Sequence, residues 1–304
     1  MQVVLDPYVF GVLSAIAATI FFGVTNVVYL KISEEIKVID IMFTRVWVSL
    51  PLAFLFSAGL TGSIYFEIPL DAMAPLAVSM LLGIVIGDAM YFLSQERIGV
   101  SRAFPISMSY PLIVYLITAT FLGEPVIIQR IVGAIATVAG VALIARAEHT
   151  RNHTEQTRWT ERDIRLGLIL AILTALAWGL SDAIFQFGLI SVGAAEGNYF
   201  RMLVVSIILI PVFFMSLRGG RKLPSRRITG IALLTGLFGV GFSLIAYSYA
   251  VKYIGATVTS VVVAAAPVIT APLSVIYLGE NVNTKVIIGT LLTITGVCLV
   301  VFLF

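Results

Sequence analysis

Hydrophobic and polar positions alternate in long blocks along this chain, with apolar stretches separated by short polar or Gly/Pro-rich breaks. A helix that crosses the hydrocarbon core of a bilayer needs about 20 predominantly apolar residues. The pattern therefore predicts an all-α membrane protein with ten transmembrane helices. In chain order, these runs 1 to 10 cover residues 8–30, 38–59, 74–95, 102–122, 126–146, 165–189, 196–217, 229–250, 257–278 and 284–304.

The ten runs form two copies of one five-run unit, because many residues recur after a shift of 156 positions without a gap. The matching pairs include Gly11 with Gly167, Arg45 with Arg201, Gly83 with Gly239, Tyr91 with Tyr247, Gly99 with Gly255, Pro111 with Pro267, Glu124 with Glu280 and Gly140 with Gly296. Residues 1–148 and 163–304 are the predicted five-helix repeats, joined by a polar cytoplasmic linker at 149–162. Since five is odd, adjacent copies must enter the membrane in opposite orientation, which gives an inverted repeat typical of transporters.

Composition agrees with a membrane protein and argues against several other classes. Hydrophobic residues make up 60% of the chain and charged residues 12%, whereas soluble domains have about 45–50% and about 25%. No stretch combines basic residues with exposed aromatics, so nucleic acid is not an expected partner. The single cysteine, Cys298, excludes an internal disulfide. Phosphate-binding, dinucleotide and nucleophile-elbow motifs are absent, so we expect no cofactor, ATP drive or catalytic residue.

The distribution of basic residues predicts the orientation in the cytoplasmic membrane. Loops that face the cytoplasm are enriched in Lys and Arg. Fifteen of the 19 Lys and Arg residues lie in the odd-numbered loops or their flanks, and only Arg130 and Lys252 lie on the even side. This bias places the odd loops in the cytoplasm and both termini outside.

Two segments at equivalent positions resemble a known family. They are GDAMYFLSQERIGVSRAFPISMSYPLIVYLITATFLGEPV and FSLIAYSYAVKYIGATVTSVVVAAAPVITAPLSVIYLGENV. Both are similar to the end of helix 3 and to helix 4 of the EamA domain of drug/metabolite transporters, and FFGVTNVVY and AWGLSDAIF resemble its first helix. The resemblance implies ten helices and export or exchange of small metabolites. Members are usually described with cytoplasmic termini, which is opposite to the orientation that the charge bias predicts here.

Polar residues inside apolar runs are candidates for the substrate site, because ionisable groups at membrane depth are costly and usually face a cavity. Asp88 aligns with Leu244, and Asn26 aligns with Asp182, so each carboxylate occurs in one copy only. Such asymmetry is expected of a site that binds an asymmetric solute, although a carboxylate that only orients helices has the same signature. Aromatic walls from Tyr91, Tyr110 and Tyr247 complete the predicted substrate-binding set, with plain packing as the alternative.

Four further residues are candidates for gating. Arg45 and Arg201 occupy equivalent positions and would anchor gates, pair with ions or extend to the headgroups. Pro111 and Pro267 interrupt runs 4 and 9, where a discontinuous binding site is expected. Glu124 and Glu280 have the positions of interfacial helix-end residues. His149 and His153 lie in the polar linker, where a solvated loop is expected and not a metal site.

The leading hypothesis is a secondary transporter, not an enzyme, that moves a small amino acid-like or other organic solute by alternating access. Protons are a candidate coupling ion, since Asp88 and Asp182 lie deep in their runs. The alternatives are an intramembrane enzyme acting on a lipid and a passive channel. The expected partners are a small molecule and the bilayer, in a monomer or homodimer.

Overall fold

A computed structural model describes residues 6–30, 32, 35–149, 160–218, 223–269 and 284–302. Within these residues there are helices, turns and connecting loops but no strand, so the prediction of an all-α chain is confirmed. Two of the helical stretches contain π-helical segments, at Leu81–Asp88 and Leu237–Phe242. The α-helices are α1 (Pro7–Leu30), α2 (Val38–Thr61), α3 (Leu70–Met80), α4 (Ala89–Ile98), α5 (Val100–Ser107), α6 (Tyr110–Phe121), α7 (Ile128–His149), α8 (Glu161–Gly188), α9 (Ala194–Arg218), α10 (Arg226–Gly236), α11 (Ser243–Ala264) and α12 (Thr284–Phe302).

Eight helical stretches of the described chain are long and apolar enough to cross a bilayer, and Ile128–Ile144 is a shorter apolar helix. The ten predicted runs are therefore not confirmed as ten separate spans. One reason is that Arg226–Ile269 is a continuous stretch of 44 residues, which covers run 8 and the described part of run 9. At about 1.5 Å per residue such a helix rises about twice the roughly 30 Å of the hydrocarbon core. Residues 270–278 of run 9 lie outside the described residues.

Two equivalent glycines redirect the chain between consecutive runs. Gly99 has φ 75° and separates α4 from α5, and Gly255 has φ 79° and ψ 163° inside α11. These dihedral angles are accessible almost only to glycine, because a Cβ would clash with the backbone. Gly255 therefore kinks the 44-residue stretch at the position where the sequence predicts the boundary between runs 8 and 9.

The two π-helical segments begin at equivalent positions of the repeat. Leu81–Asp88 continues α3 into α4, and Leu237–Phe242 continues α10 into α11. π-Helical turns are rare and are frequently found at functional sites, because the wider turn changes which side chains share a face. The hydrophobic pattern predicts both regions as helix, but it does not distinguish the π from the α form.

The contacts divide the described chain into two compact units, each of which contains parts of both repeats. Unit 1 lies within Met1–Leu81 and Ile184–Gly255, and unit 2 within Leu82–Ala183 and Ala256–Phe304. In unit 1, α2 packs against α9, α10 and the second π-helical segment, and α1 packs against the same segment. In unit 2, α7 packs along α12 and against α5. The boundaries of the two repeats and of the linker remain predictions.

Close helix contacts in the two units recur at the repeat offset. In unit 1, a Cβ added at Gly11 would lie 2.6 Å from Ile254 Cγ2. In unit 2, the equivalent Gly167 is in similarly close contact with Ile98, the equivalent of Ile254. Because each added Cβ would need the neighbouring helix to move, both glycines permit close approach of helices.

The long contact between α7 and α12 depends on glycine in the same way. A Cβ at Gly140 would lie 2.5 Å from the carbonyl oxygen of Gly289, and one at Gly296 would lie 2.5 Å from that of Gly133. Small residues at such positions allow two apolar helices to approach backbone to backbone. Van der Waals packing therefore holds this pair of helices together.

Candidate functional site

The local backbone of unit 2 places Asp88 and Tyr91 together. Asp88 is the last residue of the π-helical segment Leu81–Asp88, and Tyr91 lies in the first turn of α4. Residues three apart on a helix share a face, and both side chains are half-buried. A carboxylate and a phenol ring are thus presented by one short stretch of chain.

The Trp178 side chain of α8 connects this stretch with the next helix. Its Nε1 donates hydrogen bonds to Asp88 Oδ1 at 3.1 Å and to the Gly83 carbonyl oxygen at 3.3 Å. The centroid of its ring lies 5.1 Å from that of Tyr91. A Cβ at Gly87 would lie 2.6 Å from Trp178 Cδ1, so glycine at this position leaves room for the indole.

The Tyr110 ring contacts the same indole, and Asp182 follows Trp178 on α8. The Tyr110 ring meets Trp178 edge to face with 5.9 Å between centroids, and its hydroxyl donates to the Ser260 carbonyl oxygen at 3.2 Å. Asp182 is buried and follows Trp178 by one helical turn on α8. Asp88, Tyr91, Tyr110, Trp178 and Asp182 are hereafter the Trp178 cluster. Four of its five members belong to the predicted substrate-binding set.

Two other predicted residues, Arg201 and Tyr247, each contact Phe185 in unit 1. The guanidinium carbon of Arg201 lies 3.5 Å from the centre of the Phe185 ring, a cation–π contact. Phe185 in turn stacks on Tyr247, with 6.4 Å between ring centroids and 11° between ring planes. Arg201 is only 4% exposed. Tyr247 therefore belongs to an aromatic pair that already carries a protein cation.

Arg45 and Asn26 also lie in unit 1, Arg45 at a close helix contact and Asn26 next to one. Arg45 is buried on α2, and a Cβ at Gly236 would lie 2.7 Å from its Cα. Asn26 is half-buried on α1 beside Thr25, whose Cβ would be 2.9 Å from a Cβ at Gly239. Their predicted roles in gating and substrate binding remain predictions.

Pro111 and Pro267 both lie just beyond a break in a helix. Pro111 is the second residue of α6 and follows the turn at 108–109. Pro267 follows the turn at 265–266. Proline suits such positions because the first helical turn does not need its missing N–H. Both side chains are buried, so each break lies inside the protein unit that contains it.

Glu124 is largely buried and hydrogen-bonded to two side chains, which its predicted position at a helix end does not indicate. Its Oε1 accepts a hydrogen bond from Arg130 Nη1 at 2.7 Å, and its Oε2 accepts one from Thr257 Oγ1 at 2.6 Å. Thr257 also shares a 2.9 Å hydrogen bond with Thr118. The Glu124 and Arg130 side chains are 13% and 11% exposed. The carboxylate thus links α6, α7 and α11 within unit 2.

Sequence reasoning did not select Trp178 as a site residue. Two signals favoured it: it lies four residues before Asp182, on the same helix face, and it replaces Phe22 of the first repeat. Of the other residues singled out by the sequence, Glu280 and His153 lie outside the described residues, as does the side chain of His149. Among the described residues there is no cluster of three or more His, Cys, Asp or Glu that would hold a metal ion.

The apolar helices and their glycine-mediated contacts define a multi-pass integral membrane protein. The chain belongs to the EamA-like transporter family, which matches residues 9–146 and again residues 165–302. Both ends of the second match lie 156 residues after those of the first. The chain is therefore a membrane transporter of this family, as the sequence resemblance predicts.

Two individual proteins extend the comparison over nearly the whole chain. A protein of Archaeoglobus fulgidus, described as an uncharacterized transporter, is 25% identical over 293 residues, which is 95% of this chain and 96% of the relative. A solved crystal structure superposes with a TM-score of 0.76 and 14% sequence identity, covering 97% of this chain and 96% of the other. The latter similarity concerns the fold alone.

Proposed function

We propose that the protein is a secondary transporter that moves a small organic solute across the cytoplasmic membrane by alternating access. In this proposal the two repeats form an inverted pair of five helices each, which exposes a central site to one side at a time. An amino acid-like or other small metabolite is the expected class of solute.

The recurrence of equivalent contacts is the observation that best supports this proposal. Gly11 in run 1 contacts Ile254, which follows run 8, and the equivalent Gly167 in run 6 contacts Ile98, which follows run 3. Each contact thus joins a helix of one repeat to a helix of the other. Reciprocal contacts of this kind are expected of two copies related by a two-fold axis. In alternating access, the inward-open and outward-open states are related by the same axis.

Counterflow in proteoliposomes tests the transporter against the two alternatives. The purified protein is reconstituted with an internal pool of unlabelled solute, and the entry of labelled solute is followed for a panel of amino acids, amines and other metabolites. A carrier accumulates label transiently and saturates, a channel does not saturate, and an enzyme converts its substrate. Absence of saturable exchange for every solute of the panel would contradict alternating access.

Proton coupling is the more specific part of the proposal, and it rests on Asp88 and Asp182. A carboxylate that is alternately enclosed and exposed to water can bind a proton in one state and release it in the other. We expect Asp88→Asn or Asp182→Asn to abolish uptake driven by a pH gradient while solute exchange continues. Normal gradient-driven uptake in both variants would exclude these carboxylates as the coupling groups.

The proposed orientation has an independent test. Because basic residues favour cytoplasmic loops, a fluorescent protein that matures only in the cytoplasm should stay dark when fused after Phe304. The same protein inserted in the basic loop 218–227 should fluoresce. The opposite pair of results would reverse the orientation without affecting the transport mechanism.

A further inference from the structure

We propose that the Trp178 cluster binds the positively charged group of the solute, so that the transported molecules are organic cations such as amines or quaternary ammonium compounds. This inference rests on the proposed transport function and specifies the chemistry of its site. It follows from the combination of three aromatic rings with two carboxylates in unit 2.

The aromatic part of the cluster suits a cation because the rings do not stack face to face on one another. Tyr91 is tilted by 51° against Trp178, and Tyr110 meets it at 78°. At these angles the faces of the three rings point in different directions, and Tyr91 also lies 6.4 Å from the Phe104 ring. An ammonium group within about 6 Å of such a face is attracted by the negative charge density of the ring, most strongly for Trp.

The two carboxylates select the sign of the charge. Asp88 accepts the hydrogen bond from Trp178 Nε1, and Asp182 follows Trp178 by one turn of α8. A cation at the indole would gain favourable Coulomb energy from both groups, whereas the carboxylate of an anionic solute would be repelled by both. A quaternary ammonium group has no N–H donor, so aromatic faces with nearby carboxylates are the chemistry that recognises it.

The equivalent positions of the other repeat show that this chemistry is not required by the fold. Phe22, Asn26 and Leu244 replace Trp178, Asp182 and Asp88. The aromatic pair of Phe185 and Tyr247 in unit 1 carries Arg201 at 3.5 Å from the Phe185 ring. Asp88 of the first repeat and Trp178 and Asp182 of the second therefore each correspond to a residue without a carboxylate or an indole in the other repeat.

A pair of isosteric probes tests the charge requirement directly. Choline and 3,3-dimethyl-1-butanol have the same shape, but the first has a quaternary nitrogen where the second has a neutral carbon. The full chain with Trp47→Phe and Trp159→Phe retains Trp178 as its single tryptophan. Binding is followed by the change in Trp178 fluorescence emission as each probe is added. We expect the affinity for choline to be at least about tenfold higher than that for the neutral alcohol.

Variants separate the contribution of each group. Tyr91→Leu removes a π face and should weaken choline binding about tenfold, whereas Tyr91→Phe keeps the face and should restore it. Asp88→Asn should weaken binding by a similar factor without affecting the alcohol. Glu96→Gln is the matched control, because Glu96 is an exposed carboxylate on α4, the helix of Tyr91, and lies outside the cluster. This variant should leave choline binding unchanged.

Equal affinities for the two probes, or no binding of choline to the folded protein, would overturn the proposal. Equal losses in Tyr91→Phe and Tyr91→Leu would overturn the aromatic part of it. Counterflow on the same preparation distinguishes failure of the cation-site proposal from failure of the proposed transport function. Saturable exchange of neutral or anionic solutes alone would leave a transporter with a different specificity, whereas charge-selective binding without any exchange would leave a cation site in a protein that is not a carrier.

Discussion

Replacing Thr257 by Val tests whether the Glu124 network stabilises unit 2. The substitution keeps the shape of the side chain but removes the hydroxyl that donates to Glu124 Oε2 at 2.6 Å and shares a hydrogen bond with Thr118 at 2.9 Å. Hydrogen bonds to charged groups contribute about 1.5–3 kcal/mol to stability in proteins, whereas hydrogen bonds between membrane helices average about 0.6 kcal/mol. Since Thr257 is 1% exposed and water cannot readily replace the lost donor, we expect a decrease of about 2 kcal/mol in the free energy of unfolding.

Unfolding in mixed micelles, with linear extrapolation to zero denaturant, measures this change. Thr120→Val is the matched control, because the exposed Thr120 hydroxyl only donates to carbonyl oxygens of its own helix, those of Leu116 and Ile117. We expect the control to change the free energy of unfolding by less than about 0.5 kcal/mol. If Thr257→Val and Thr120→Val had the same effect, the Glu124 network would not stabilise the protein, and the reasoning from burial and distance would be refuted.

Two glycine substitutions test the packing and the kink, with thermal unfolding as the measurement. Gly140→Ala should lower the free energy of unfolding by about 1–3 kcal/mol, because the new Cβ would lie 2.5 Å from the Gly289 carbonyl oxygen. Gly230→Ala is the control and should not lower stability, because no atom lies within 4 Å of the new Cβ. An equal loss of stability in both variants would contradict close packing at Gly140. Gly255→Ala should lower the free energy of unfolding by about 1–3 kcal/mol, because φ is 79° at this residue. Gly59→Ala is the control, since its new Cβ would lie in open space within α2, and it should leave stability unchanged or raise it. An unchanged melting temperature for Gly255→Ala would exclude the kinked backbone.

The candidate site could be predicted from sequence only in part. Asp88, Tyr91, Tyr110 and Asp182 were selected because polar groups and tyrosines inside apolar runs are unusual. Trp178 was not selected, since an aromatic residue in an apolar helix fits a packing role equally well. Glu124 was recognised as a helix-end residue, but its bond to Thr257 joins positions 133 residues apart, and no local pattern indicates which helices meet.

By itself, the sequence determined the membrane class, the positions of most helices, the doubled unit and the family. These properties follow from the length of apolar runs and from glycine, proline and charged residues that recur at a fixed offset, which are local or periodic signals. The tertiary structure decided that the contact units mix both repeats, that two stretches are π-helical, and that four predicted residues gather around Trp178. The physical reason is that membrane helices are apolar on nearly all faces, so that their sequence does not mark which face meets a neighbour.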